Sequence, residues 1–160
     1  MMTEPTIQMM IDRLVVENEQ SPPDCSGPVP DSEIRDAEQV LGITFPKSYR
    51  EFIGTYGSAL IFSYSIAGIC ERSDPEECPL FDHVVDQTMF YRSCGIPPTV
   101  AVISGDEGDN VYLLDCTPGI SDQDAAILNW GDEGTMFPVA KNFRDFLERK
   151  ARRQAPWMGK

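Results

Sequence analysis

TVAVISGDEGDNVYLLD, Thr99 to Asp115, decides how the 160-residue chain folds. Branched and aromatic residues fill Thr99–Ser104 and again Asn110–Asp115, while GDEGD at 105–109 supplies the glycines and short polar side chains that a tight reversal needs. The pattern predicts two antiparallel strands joined by a Gly-rich turn. Downstream, Ala126–Trp130 reads as a further strand, followed by a second GDEG turn at Gly131–Gly134. The chain then closes with a helix: Asn142 is its expected N-cap, and Phe143, Phe146 and Leu147 form its buried stripe. Arg149, Lys150, Arg152 and Arg153 gather at its C-terminal end, where the helix dipole favours positive charge.

Upstream of the hairpin, Phe81, Val84, Val85, Thr88 and Met89 recur at helical spacing and place His83 inside a helix that ends near Gly95. An acidic, Pro-containing loop from Glu71 to Pro79 precedes it, and Ala59–Ile69 carries the branched and aromatic content of one or two short strands. Asp31 can cap a helix in which Ile34, Ala37 and Leu41 share a face and Gly42 supplies the left-handed stop. Pro46 opens the next, with Tyr49, Phe52, Ile53 and Tyr56 on one stripe and Gly57 at its end. At the start, Thr3 is the expected cap of an amphipathic helix with Ile7, Met10, Ile11, Leu14 and Val15 inward. Between the first two helices, QSPPDCSGPVP (20–30) has too many prolines for a helix and reads as a linker. Helices cluster early and hairpin-linked strands late, which gives a single α+β domain with a mostly antiparallel sheet flanked by helices. The expected division is a helix at 1–19, the Pro-rich linker at 20–30, a folded body at 31–150 and a basic tail at 151–160.

The net charge of −13 is unevenly placed. From Lys141 onward the chain carries +5, so everything before it carries −18. Such a field repels phosphate backbones and anionic membranes and favours a basic partner, although acidity also serves solubility alone. An apolar content of 41% is ordinary for a packed globule. No basic segment followed by an apolar stretch opens the chain, and no apolar run approaches a membrane span, so a cytoplasmic protein is expected. Five cysteines, irregularly spaced, fit reduced thiols better than a disulfide framework.

Catalytic signatures are missing: there is no GxSxG elbow, no phosphate-binding Gly loop ending in Lys, no GxGxxG after a strand and no HExxH. His83, the single histidine, has no evident nucleophile partner. Cys70, Cys78, His83 and Cys94 lack the short CxxC knuckle of a zinc site, and neither GDEG turn has the ligand spacing of a calcium loop. The reading is a protein that is not an enzyme and takes no metal or cofactor.

An ordered series of pieces carries a family resemblance. Ile34-x-x-Ala37-Glu38-x-x-Leu41-Gly42-Ile43-x-Phe45-Pro46-x-Ser48-Tyr49-Arg50-Glu51-Phe52-Ile53-x-x-Tyr56-Gly57 resembles the opening of the SUKH superfamily, named partly for the fungal Smi and Knr cell-wall regulators. Ser65–Ile69 is similar to its early strand, Val102–Asp115 to its central hairpin and Val139–Leu147 to its closing helix. Where many members end the third helix in Asn-Gly, this chain has Tyr56-Gly57.

The resemblance implies a sheet flanked by helices and no catalytic residues. For bacterial-type members it implies an immunity protein of a polymorphic toxin system that binds and neutralises a cognate toxin. The alternative is a regulatory protein-interaction module of the fungal cell-wall-signalling type. A nuclease toxin would present a basic groove, and the expected contacts are the acidic loops: Asp74, Glu76, Glu77 and Asp82 in one group, Asp106, Glu107, Asp109, Asp132 and Glu133 at the hairpin ends.

Overall fold

The computed structural model describes residues 5–62, 64–70, 81–107, 110–131 and 135–152, with the side chains of 105–110 outside that description. Along the chain lie α1 (Ile7–Glu17), β1 (Asp24–Cys25), α2 (Asp31–Leu41), α3 (Lys47–Tyr56), β2 (Ala59–Ile61), β3 (Tyr64–Ile66) and α4 (Val84–Ser93). There follow β4 (Val100–Glu107), β5 (Asn110–Asp115), a 3-10 turn at Asp122–Asp124, β6 (Ile127–Trp130), β7 (Met136–Ala140) and α5 (Phe143–Arg152). The expected α+β class with antiparallel sheets is what the chain adopts.

Two sheets form, a small one in the order β1-β2-β3 and a larger one in the order β4-β5-β6-β7, antiparallel throughout. The outer edge of β4 is closed by its surroundings. The amide of Ala67 donates to the carbonyl of Ile103 at 2.7 Å, and the amide of Val102 donates to Thr88 Oγ1 at 3.0 Å. Those two bonds satisfy main-chain groups that an open edge would leave to a stray strand. At the opposite edge stands β7, which the sequence reading lacked. Its Pro138 argues against a strand, but an edge position tolerates a residue that cannot donate to a second neighbour.

Opposite faces of the larger sheet bury different cores. Ala101, Ile103, Tyr112, Leu114 and Ile127 face α1, α3 and α5, where Tyr49, Phe52 and Phe143 pack edge to face with ring centroids 5.4 and 5.6 Å apart. Tyr112 and Phe146 join the same layer at 5.3 Å. Val100, Val102, Val111 and Leu113 point the other way, to a smaller cluster completed by Ile96 and the half-buried Tyr91, Leu128 and Trp130. The alternation along β4 and β5 dictates this split, because successive side chains leave opposite faces.

Several helix ends differ from the sequence reading. Thr6 caps α1, its hydroxyl accepting from the Met9 amide at 3.1 Å, where Thr3 was expected. Pro30 and Pro46 hold the N-cap positions of α2 and α3, which moves Asp31 into the first turn of α2. From there its carboxylate pairs with Arg35 at 2.6 Å and Arg50 at 2.9 Å. Helix α4 starts at Val84, so His83 lies before the helix, not within it. The 20–30 segment is not wholly irregular, since Asp24 and Cys25 pair with Leu60 and Ala59. Asn142 caps α5 as expected, its side-chain oxygen accepting from the Asp145 amide at 2.8 Å.

Candidate partner-binding surface

Of the nine acidic residues expected to contact a partner, Asp74, Glu76, Glu77, Asp109, Asp132 and Glu133 lie outside the described residues. Asp106 and Glu107 are described by their backbone alone, at the end of β4. The register places the strand ends that carry both GDEG turns at one end of the sheet, because Glu107 pairs with Asn110, Val111 with Trp130, and Trp130 with Met136. Asp82 is half-buried and tied into the fold. Its carboxylate accepts from Ser65 Oγ at 2.8 Å, and its carbonyl accepts from Ser58 Oγ at 2.7 Å and the Gly68 amide at 3.2 Å.

Beside Asp82 the chain turns into α4 under tight constraint. His83 is the N-cap, with Nδ1 accepting from the Val85 amide at 3.2 Å, and the Val84 amide donates to the Gly68 carbonyl at 2.7 Å. Gly68 itself lies so close to the Gly57 carbonyl that a Cβ there would overlap it. Cys70 Sγ donates to the Phe81 carbonyl at 3.7 Å, so the two ends of the acidic 71–80 segment meet at one place.

That place is the mouth of a cleft of about 370 Å³ between α2 and the start of α4. Its lining is largely apolar, with Ala37, Ile69 and Val85 buried and Val40 exposed, and with Cys70 and His83 at the α4 end. Glu33 and Asp36 stand on its rim, one helical turn apart on α2. At the far end of α4, Arg92 Nη2 donates to the Leu41 carbonyl at 2.7 Å and to the Pro98 carbonyl at 3.0 Å, which fixes α4 against the end of α2. Both walls are therefore held by hydrogen bonds at their ends.

Charge on α2 is sorted by direction. Asp31 and Glu38 turn toward Arg50, at 2.9 and 3.4 Å, and are compensated. Glu33 and Asp36 have no ion-pair partner among the described residues. Next to them lies an apolar crest: Val40 is 63% exposed, Phe90 61% and Met89 49%. Phe90 stacks edge-on against Tyr91, which in turn meets Trp130 at 5.9 Å. Exposed apolar groups grouped beside uncompensated charge are the composition of a protein-binding surface.

Sequence reasoning missed Glu33, Asp36 and the crest because it looked for acid in turns. The available signal was Val40, an apolar residue off the inward stripe of α2, and Phe90, beyond the stripe of α4; Met89, which the spacing placed on that stripe, is 49% exposed instead.

Two further titratable groups, Cys116 and Tyr49, are locked in the core. Burial, with Asp115 and Glu38 adding to it, pushes the Cys116 thiol up to about 12, and burial drives the Tyr49 phenol well above its ordinary range while its hydroxyl donates to the Ala67 carbonyl at 2.5 Å. Among the described residues no three His, Cys, Asp or Glu side chains stand close enough to hold a metal ion, and no helix is long and apolar enough to cross a membrane.

No curated protein matches this chain. A family model does: that of the SMI1 / KNR4 family (SUKH-1) matches residues 28–149, a span that takes in α2 through most of α5 and with them both walls of the cleft. The helix pair, the hairpin and the closing helix on which the sequence resemblance rested all fall within that match, and the chain belongs to the SMI1 / KNR4 (SUKH-1) family.

Proposed function

We propose that this chain is a non-catalytic immunity protein that neutralises a cognate bacterial toxin by stoichiometric binding in the cytoplasm. The single observation that carries the reading is family membership over residues 28–149, which supports a protein-interaction or immunity role. The charge of −18 before Lys141 supports a partner with a basic surface, and a nuclease is the toxin class that fits, since its groove must attract phosphate. An acidic protein seated there excludes nucleic acid from the groove while binding none itself. Opposite charge also accelerates encounter, by about 10- to 10³-fold at low salt. The acidic turns at 71–82, 105–109 and 131–134 are proposed to contribute contacts alongside the α2–α4 surface.

Growth rescue tests the reading. The toxic domain encoded beside this gene is expressed with and without this protein, and the purified pair is titrated at rising salt. Rescue with a one-to-one complex that weakens as salt rises supports neutralisation by electrostatic occlusion. Absence of both rescue and complex overturns it in favour of the regulatory interaction module.

A further inference from the structure

We propose that the α2–α4 cleft is the receptor for one arginine or lysine side chain projected by the basic partner. The inference rests on the reading of a basic protein partner and adds to it the place and chemistry of an anchor.

Three observations converge. First, the cleft has an apolar lining of buried Ala37, Ile69 and Val85 with the exposed Val40 beside them, suited to the methylene stem that long cationic side chains bury while keeping their charge outside. Its volume of about 370 Å³ lies at the lower end of the ~300–1,000 Å³ of ligand pockets, so it suits one side chain and not a folded element. Second, the charged head has a defined destination. Glu33 and Asp36 line the rim and are unpaired among the described residues, while Asp31 and Glu38 on the same helix are occupied by Arg35 and Arg50. A carboxylate pair one turn apart accepts a guanidinium or an ammonium from either side.

Third, none of the described side chains supplies that cation. Among the described residues neither lysine nor arginine lines the cleft, and Arg92, the nearest cation on α4 by sequence, is bound to the carbonyls of Leu41 and Pro98.

A self-filling variant tests this without disturbing the core. Val40→Arg puts a guanidinium four residues after Asp36 on an exposed position, where it competes for the same carboxylates. The probe is an acetylated, amidated Arg-Leu-Arg peptide titrated at low salt into the full chain, followed by amide NMR shifts, with Glu-Leu-Glu as control. Saturable shifts at residues 33–40 and 83–89 are expected for the basic peptide alone. Glu33→Gln with Asp36→Asn should weaken it by about tenfold or more, and Val40→Arg should abolish it. Shifts centred elsewhere, no shifts, or shifts that survive Val40→Arg would overturn the proposal.

The toxin assay separates the two readings. If the toxic domain is neutralised and binds Val40→Arg as tightly as the parent, immunity stands and the cleft is not the anchor site. If no rescue or complex occurs, immunity fails and the peptide titration alone decides the cleft.

Discussion

The two faces of the four-stranded sheet meet different demands. On one, α1, α3 and α5 press a layer of aromatic rings against Tyr112, Leu114 and Ile127, and the ring contacts continue from Phe45 through Tyr49 and Phe52 to Phe143. On the other, among the described residues α4 and the following Ile96 cover a strip of valines and leucine, leaving Phe90 and Met89 in solvent and Tyr91 and Trp130 half-covered. A single helix is about 10 Å across and cannot shield four strands spaced at about 4.8 Å. The first face sets stability. The second is the one on which the protein has surface to spare for a partner.

The sharpest way to break this comparison is to truncate each side. Phe52→Ala removes a fully buried ring from the broad core and should cost ~3–5 kcal/mol of unfolding free energy in a denaturant titration. A loss no larger than that of a surface substitution would mean the aromatic layer is not the stabilising one. Gly68→Ala tests the junction that holds the cleft wall. Its Cβ meets the Gly57 backbone, not a yielding side chain, so a loss of ~1–3 kcal/mol is expected, together with altered amide shifts at His83 and Val84.

On the thin face, Thr88→Val keeps the shape but leaves the buried Val102 amide without its acceptor, and should cost ~1–3 kcal/mol. Alkaline pH probes the broad face again. The Cys116 thiol stays protonated in the folded chain to about 12, against an ordinary value of 9.0. Between those values the unfolded chain loses the proton and the folded chain keeps it, so this share of stability is intact below pH 9 and falls as pH rises. Its loss amounts to about 1.4 kcal/mol at pH 10. Cys116→Val should flatten that part of the decline in urea titrations between pH 8 and 10.5. Smallest of all, Phe90→Ser should change stability by no more than ~0.5 kcal/mol while weakening the proposed partner complex. A large stability loss there would show the crest to be core.

Much of the frame was readable from local pattern. The stripes at Ile34, Ala37 and Leu41 and at Tyr49, Phe52, Ile53 and Tyr56 announced α2 and α3, and the run from Thr99 to Asp115 announced the hairpin. Such signals survive because helix and strand periods are properties of adjacent residues. The misses have equally local causes. Pro138 hid β7, whose pairing depends on its being last in the sheet, and two prolines hid β1, which exists only because Leu60 and Ala59 are there to pair with it. His83 looked helical by spacing, yet its ring is more useful as an acceptor for the Val85 amide than as another turn of helix.

The class of the fold, the order of helices α1 to α5, the central hairpin, the acidity before Lys141 and the family resemblance are all written in residue type and spacing along the chain. Folding alone sets which acids are spent and which face no cation among the described residues. Asp31, Glu38 and Asp82 look no different along the chain from Glu33 and Asp36. Packing brings Arg50 to the first two and Ser65 to the third, and opens a cleft beside α4 where the remaining pair faces no cation among the described residues. Charge neutralisation acts over a few ångströms in space, and spacing along one chain does not record which side chains folding brings that close.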